Sequence, residues 1–191
     1  MSTPIRSSYH HGDLRAALLD VAMQMLEQGR TFSLRAVARE AGVSPTAPYR
    51  HFADREALES ALAAEGFRDL RADLLEQRSP PSSAADLAEF GVEYVLFALR
   101  RPALFRLMFG HPCDDTDDHR LRAAAELRNL LAAMLATVFP RADAPALATA
   151  FWGLVHGLAF LHLDGKFAAE PLEDVAERVR ASYRAILAVQ V

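Results

Sequence analysis

The stretch that most constrains this chain is residues 33–52, SLRAVAREAGVSPTAPYRHF. Ser33 can accept a hydrogen bond from a free amide of a first helical turn, and apolar side chains then recur at helical spacing. Gly42 stands where a positive φ lets a helix end and the chain turn back. Ser44 is a second expected N-cap, with Pro45 at the first helical position. Two short helices joined by a tight turn predict a helix-turn-helix, whose second helix enters the DNA major groove.

Pro48 disturbs the second of these helices. If Ser44 is the N-cap, Pro48 is the first residue whose amide should bond back, but proline has no N–H and disfavours helical geometry at Ala47. We therefore expect a short, locally distorted recognition helix, with 3₁₀ geometry as one form of the distortion. Regular i→i−4 bonding from Ser44 through Phe52 would contradict this prediction.

Charge is distributed unevenly along the chain. The formal net charge is −4, yet residues 1–55 carry seven arginines and five acidic residues, a balance of +2. The remainder holds 14 of the 21 basic and 20 of the 25 acidic residues, a balance of −6. A mildly basic end and an acidic body indicate that only one end meets a polyanion such as DNA.

The periodicity along the chain predicts an all-α fold of about nine helices, because no segment shows the alternation of a strand. We expect a three-helix DNA-binding head with an N-terminal arm over residues 1–55, and a ligand-binding and dimerisation body over residues 56–191. Outside the helix-turn-helix, helices are expected at residues 13–28, 54–77, 84–101, 103–109, 118–138, 143–163 and 171–189.

Residues 144–163 contain no Asp, Glu, Lys or Arg and reach the length of a membrane-spanning helix. Pro145, Gly153 and His156 interrupt the stretch, and helices that are apolar all round also occur buried in larger proteins, so we favour a buried helix over a membrane span. A single cysteine excludes an internal disulfide, and the N-terminal residues lack the apolar run of a signal peptide. A cytoplasmic location is the expectation.

Three short motifs in the head identify a family. These are AxxAGVS at residues 38–44, Tyr-x-x-Phe at residues 49–52, and Asp-[Lys/Arg]-Glu-x-Leu at residues 54–58. Together they resemble the DNA-binding head of TetR-type transcriptional regulators. Arg55 keeps the charge of the lysine that is usual in that family, whereas Pro48 replaces a leucine-like residue and departs from the pattern.

The body is similar to a subgroup of the same family. Its Trp-x-x-x-His-Gly signature appears here as Trp152, His156 and Gly157, and residues 102–109 follow a Pro-x-Leu-Phe-x-x-Met-Phe pattern. The resemblance implies a homodimer whose two heads occupy successive major grooves of a palindromic operator. One small head makes few phosphate contacts, so a dimer with two heads would reach a useful affinity for DNA more readily than a monomer.

Position in the motif and the resemblance together assign a set of DNA-binding residues. Arg50 can read a guanine, which discriminates by roughly 1–3 kcal/mol when bidentate, while Thr46 and Ala47 offer apolar contact to a thymine methyl. Others resemble the family's phosphate contacts, although core packing is the alternative for Tyr49 and the favoured role of Phe52. The full set is Ser33, Arg35, Ser44, Pro45, Thr46, Ala47, Tyr49, Arg50, His51 and Arg55.

Two further sets of residues are expected to serve the body. Apolar and aromatic side chains at helical spacing are candidates for a small-molecule pocket, with core packing as the alternative for most of them: Phe90, Tyr94, Phe97, Phe105, Met108, Phe109, Trp152 and His156. Small and apolar residues of the last two helices are candidates for a four-helix dimer seam: Gly153, Gly157, Val175, Val179, Tyr183 and Ile186.

No catalytic constellation, cofactor motif or metal site is legible. Histidine, cysteine and aspartate crowd together over residues 111–119, but they mix hard and soft ligands without a standard spacing, so we favour a solvated loop over a metal site. The sequence therefore predicts a DNA-binding regulator, a repressor released from its operator by a small molecule, and not an enzyme. The alternative is a helical carrier or enzyme that keeps a helix-turn-helix for packing only.

Overall fold

The computed structural model describes residues 14–76, 79–110 and 119–188. Within these ranges all regular structure is helical, which confirms the all-α prediction. The elements are α1 Leu14–Glu27, α2 Leu34–Glu40, a 3₁₀ helix Ala47–Arg50, α3 Arg55–Leu75, α4 Ala84–Arg100, α5 Pro102–Phe109, α6 His119–Val138, α7 Ala144–Leu163 and α8 Leu172–Ala188. The expected N-terminal arm and most of the loop at residues 111–119 lie outside the described residues.

The chain divides into two compact units, and the division falls between Glu59 and Ser60, inside α3. The boundary expected after residue 55 lies about one helical turn earlier in the same helix. Below, the first unit is called the head and the second the body.

The head is held together by apolar side chains from α1, α2 and the segments that flank them. Leu18 and Ala22 of α1 and Val37 of α2 are fully buried, and Phe32 and Phe52 are almost so. Two short helices cannot bury enough surface alone, so α1 provides the surface on which the helix-turn-helix packs. The burial of Phe52 agrees with its expected role in core packing.

Local hydrogen bonds fix both ends of α2 as expected. The Ala36 amide donates to Ser33 Oγ at 3.2 Å, so Ser33 is the N-cap. Gly42 follows the helix with φ +69°, a conformation that disfavours any residue with a Cβ. The turn between the two helical segments is therefore set by residues that the sequence alone identifies.

Pro48 shapes the second helical segment. Residues Ala47–Arg50 form a 3₁₀ helix rather than an α-helix, and the His51 and Phe52 amides both donate to the Pro48 carbonyl at 2.9 Å. Pro48 itself is buried. This confirms the prediction of a short, distorted recognition segment, a name used below for residues 44–51.

Two details of that prediction are wrong. Ser44 does not cap the helix through its side chain, because its hydroxyl lies 3.4 Å from Thr46 Oγ1 while its carbonyl accepts from the Ala47 amide at 3.0 Å. Pro45 does not occupy the first helical position, since it lies in a turn before Ala47. An α-helix starting at Ser44 would need the amide that Pro48 lacks, so the chain turns first and forms the helix later.

In the body, α4 is the central helix and packs against α5, α6, α7 and α8. Val95, Phe97 and Ala98 of α4 are fully buried. Its start is fixed by a capping box in which the Asp86 amide donates to Ser83 Oγ and the Ser83 amide donates to Asp86 Oδ2. A helix covered on several sides needs an apolar circumference, which explains the wide apolar face of this segment.

By length and composition alone, α7 could span a membrane. In the structure it packs against α4 and α6, with Phe151, Val155 and Ala159 buried. Asp143 caps its first turn by accepting from the Ala146 amide at 3.1 Å. The helix has a second side that the described residues leave exposed, discussed below with the residues expected at a dimer seam.

Candidate functional sites

The residues expected to bind DNA lie on the surface of the head. Nine of the ten are exposed and Ala47 is half-buried. Tyr49 is 49% exposed whereas Phe52 is 3% exposed, so the two aromatic rings of the Tyr-x-x-Phe motif point to different environments. Pro48 is buried next to Tyr49 in the chain, which anchors the recognition segment, while Tyr49 and Arg50 are exposed.

Cations on the head differ in how they are paired. Arg35 and Arg50 are exposed and have no ion-pair partner among the described residues. Arg55 Nε donates to Glu59 Oε1 at 2.7 Å, and its guanidinium lies 5.5 Å from the centre of the Phe32 ring. Arg35 and Arg50 can therefore meet a polyanion without competition from a carboxylate, whereas a polyanion at Arg55 must share the guanidinium with Glu59 or displace Glu59.

The body contains a cavity of about 610 Å³, a size typical of small-molecule sites. Its walls come mainly from α4, α6 and α7, with contributions from α3, α5 and α8. Among the residues expected at a pocket, those that line it are Phe90, Tyr94, Met108, Phe109 and Trp152.

The remaining three expected pocket residues lie elsewhere in the body. Phe97 and Phe105 are fully buried in the core, which agrees with the alternative role of core packing. His156 does not line the cavity but sits beside it, its ring 4.6 Å from that of Phe109 and 4.9 Å from that of Phe160.

A hydrogen-bonded chain runs from the cavity wall to His156. Trp152 Nε1 donates to the Tyr94 hydroxyl oxygen at 3.3 Å, and that oxygen lies 3.0 Å from His156 Nδ1. Burial lowers the pKa of His156 and raises the pKa of Tyr94, so both groups are held neutral. The assignment that satisfies all three side chains has Tyr94 donating to Nδ1 of a neutral imidazole.

Sequence reasoning missed most of the wall that α6 provides. Leu127, Leu131 and Met134 line the cavity, as does Arg120, a residue only 6% exposed whose Nη2 donates to the Met108 carbonyl at 2.8 Å. Gly91 of α4 and Tyr183 of α8 complete the wall. The residues predicted to line a pocket were chosen mainly for their aromatic side chains. The aliphatic side chains of α6 were therefore not predicted, although α6 itself was predicted as a helix.

The residues expected at a dimer seam fall into two groups. Val175, Val179 and Tyr183 are buried within the chain itself, so they belong to its own core. Gly153, Gly157 and Ile186 are exposed. A Cβ placed on either glycine would meet no described atom within 4 Å, which leaves that side of α7 open to another surface.

The described residues contain no cluster of three or more His, Cys, Asp or Glu side chains that could hold a metal ion. Of the histidine- and aspartate-rich loop, only His119 is described, as the first residue of α6. The solvated loop over residues 111–118 therefore stays a prediction.

Comparison with known proteins adds independent observations. Residues 18–62 match the family model of bacterial regulatory proteins of the tetR family, and residues 87–186 match that of the tetracyclin repressor-like C-terminal domain. A curated relative, an uncharacterized HTH-type transcriptional regulator of Haemophilus influenzae, is 31% identical over 121 residues. The match covers 61% of this chain, which spans only 59% of that relative's length.

Solved structures resemble the whole chain. A protein of unknown function from Rhodococcus sp. RHA1 is 33% identical with a TM-score of 0.80, over 96% of this chain and 100% of that one. A bacterial regulatory protein in the tetR family from Rhodococcus RHA1 is 20% identical with a TM-score of 0.66, over 88% of this chain and 94% of that one. The second likeness concerns the fold alone.

Proposed function

Because this chain belongs to the TetR family of helix-turn-helix transcriptional regulators, a family of non-enzymatic DNA-binding proteins, we propose that it is a homodimeric repressor released from a palindromic operator by a small molecule. The proposal places it in the cytoplasm, where operator DNA is. The observation that carries it is the combination in one chain of an outward-facing recognition segment and a largely apolar cavity.

On the DNA side, the roles divide by chemistry. Thr46, Ala47 and Arg50 contact base edges, because they stand on the recognition segment and Arg50 has no competing carboxylate. Residues around that segment contact the phosphates and so position the protein on the DNA. Ser44 and Pro45 contact the DNA backbone or base edges next to Thr46, Ala47 and Arg50. The phosphate set is Ser33, Arg35, Tyr49, His51 and Arg55.

On the ligand side, the cavity is the effector site. An effector that binds one arrangement of the dimer better than another shifts the population, and operator affinity changes by the same coupling free energy. One helix takes part in both functions, since α3 begins at Arg55 and its residues Phe67 and Leu74 line the cavity. That shared helix supports coupling between the two sites.

The dimer interface uses the uncovered side of α7 and the end of α8. Gly153, Gly157 and Leu161 are exposed on α7, and Ile186 is 49% exposed on α8. Small residues let a second helix approach closely, and burying exposed apolar side chains is favourable. The motif subgroup suggested by Trp152, His156 and Gly157 remains part of this proposal.

Selection of bound sequences from random duplex DNA tests the DNA side. We expect a palindrome whose half-sites are about one helical turn of DNA apart, and affinity that falls steeply as salt rises. Failure to enrich any sequence would contradict operator recognition, and would favour the alternative of a ligand carrier with a head used only for packing.

Single substitutions then separate base readout from phosphate contact. Arg50→Ala should weaken operator binding by about 5- to 150-fold and binding to random DNA much less, since a bidentate arginine–guanine pair is worth about 1–3 kcal/mol. Arg55→Ala should weaken both to a similar degree. Arg71→Ala, an exposed arginine of the body, is the matched control. Equal losses on both DNAs for Arg50→Ala would overturn the division of roles.

Transcription from a promoter that carries the selected operator tests the sign of regulation. A reporter gene should be expressed less when the chain is present and recover when an effector is added. Higher expression in the presence of the chain would show an activator instead.

A further inference from the structure

The Tyr183 hydroxyl in the cavity wall has no partner among the described residues. Tyr183 is 4% exposed and lines the cavity, yet its hydroxyl makes no hydrogen bond to any of them. The other two polar aromatic groups of the wall, Tyr94 and Trp152, are bonded to each other.

The neighbouring helix leaves room for this hydroxyl. A Cβ on Gly91 would lie 2.7 Å from both the oxygen and Cε2 of Tyr183, closer than atoms can approach. Glycine inside a helix is destabilising relative to alanine, but here it admits the phenol ring. The ring of Phe151 packs against the same phenol with centres 4.8 Å apart, so the side chain is held between two helices.

Charge in the wall narrows the chemistry of the ligand. The described residues that line the cavity include Arg120 and Arg128 and no acidic side chain, so a cationic ligand would find no counter-charge. Most of the wall is aliphatic or aromatic, which suits an apolar body. Burial raises the pKa of Tyr183, so the hydroxyl stays protonated and can donate.

We propose that the Tyr183 hydroxyl is a polar recognition point of the cavity, and that the effector is an apolar molecule, neutral or anionic, with an oxygen that accepts this hydrogen bond. A buried hydroxyl without a partner is unfavourable, and a ligand oxygen would supply the missing partner. The inference rests on the proposed function, since it takes the cavity as the effector site.

The test uses two probes of nearly the same shape. Benzophenone carries one carbonyl oxygen, and diphenylmethane has a methylene in its place. Trp152 is the only tryptophan and lines the cavity, so quenching of its fluorescence by benzophenone measures occupancy, and recovery on adding diphenylmethane measures competition. The quantity of interest is the ratio of the two affinities.

Tyr183→Phe removes the hydroxyl and keeps the ring. We expect this variant to lower the preference for benzophenone by about 3- to 10-fold, the range for a single hydrogen bond. Gly91→Ala, which places a methyl group against the hydroxyl, should lower the same preference. Ser182→Ala is the matched control, because the neighbouring Ser182 hydroxyl donates to the Arg178 carbonyl of its own helix and does not line the cavity, and it should leave the preference unchanged.

An unchanged ratio in Tyr183→Phe would overturn the inference, as would a failure of both probes to bind the wild-type chain. Failure of the proposed function looks different. If the probes bind with the expected preference but no cavity ligand alters operator affinity, the role of Tyr183 stands and release by a ligand is contradicted.

Discussion

Arg55 and Glu59 form an ion pair on the first turn of α3, with Arg55 Nε 2.7 Å from Glu59 Oε1. The arginine side chain is 58% exposed and the glutamate 16%. A DNA phosphate that contacts Arg55 must share it with this carboxylate or displace it. The pair therefore weakens the phosphate contact assigned to Arg55 and gives the head a built-in competitor for DNA.

Glu59→Gln should strengthen DNA binding. Removing the carboxylate charge frees Arg55 and removes a negative charge from the head, and exposed ion pairs are worth up to about 1 kcal/mol. We expect affinity to rise by about 2- to 5-fold on operator and random DNA alike, because a phosphate contact carries no sequence information. Fluorescence anisotropy with labelled duplexes at constant salt measures both.

Glu65→Gln is the control for this experiment. Glu65 pairs with Arg68 at 2.5 Å on the same helix, but in the body, so its loss should leave DNA affinity within error. A gain of the same size in both variants would mean that overall charge, and not Arg55, is responsible.

Pro48→Ala should destabilise the chain more than Pro45→Ala. Both substitutions raise the conformational entropy of the unfolded chain, which lowers the free energy of unfolding by about 0.4–1 kcal/mol. The two positions differ in burial, since Pro48 is buried and Pro45 is exposed. Loss of buried methylene groups adds about 0.8 kcal/mol for each one. Alanine lacks two of the three proline ring methylenes, so we expect about 2–3 kcal/mol for Pro48→Ala. For Pro45→Ala we expect less than about 1 kcal/mol, both measured by urea unfolding followed by circular dichroism. Similar losses would show that burial of Pro48 does not anchor the segment.

Gly157→Glu should convert a dimer into monomers without unfolding the chain. Its side chain would enter space that is open in this chain but filled by a partner in the proposed dimer, and glutamate favours a helix by up to about 1 kcal/mol over glycine. Analytical ultracentrifugation measures the mass. Ala136→Glu, at an exposed position of α6, should leave the dimer intact. A Gly157→Glu variant that still dimerises would place the interface elsewhere.

Stability should fall on mild acidification, and His156 should account for part of the loss. Burial lowers its pKa below the ordinary value of 6.5, so below that pH the unfolded chain binds a proton that the folded chain resists. The contribution is fully present above pH 6.5 and is lost as pH falls toward the folded pKa. Urea unfolding at pH 7.5 and 5.5 measures the difference.

His156→Asn keeps an acceptor for the Tyr94 hydroxyl and removes the titration, so its loss of stability between the two pH values should be smaller. Some loss should remain, because burial also lowers the pKa of His162. An unchanged pH dependence in His156→Asn would contradict the assignment of this titration to His156.

The sequence predicted best those features that depend on residues close together in the chain. Ser33 and Gly42 act within a few positions of themselves, so their roles could be assigned from spacing. Ser44 has the same chemistry and was assigned wrongly, because the missing amide of Pro48 outweighs a favourable cap. Where two local signals conflict, the one that removes a hydrogen bond prevails.

Packing between distant segments was less accessible. Periodicity shows that one side of α8 is apolar, but it does not show that Val175, Val179 and Tyr183 are buried inside their own chain. For the same reason, the side chains of α6 that line the cavity were not predicted. An apolar face must be covered, yet its neighbour is chosen by the whole fold.

The cavity also has a consequence for heat stability. A molecule that binds in the cavity of about 610 Å³ gains dispersion contacts with its walls and stabilises the folded chain. A ligand at 100 times its Kd adds about 2.7 kcal/mol to the free energy of unfolding. For a chain of this length each kcal/mol raises Tm by about 2–4 °C, so melting curves across a compound library would rank candidate effectors without any knowledge of the operator.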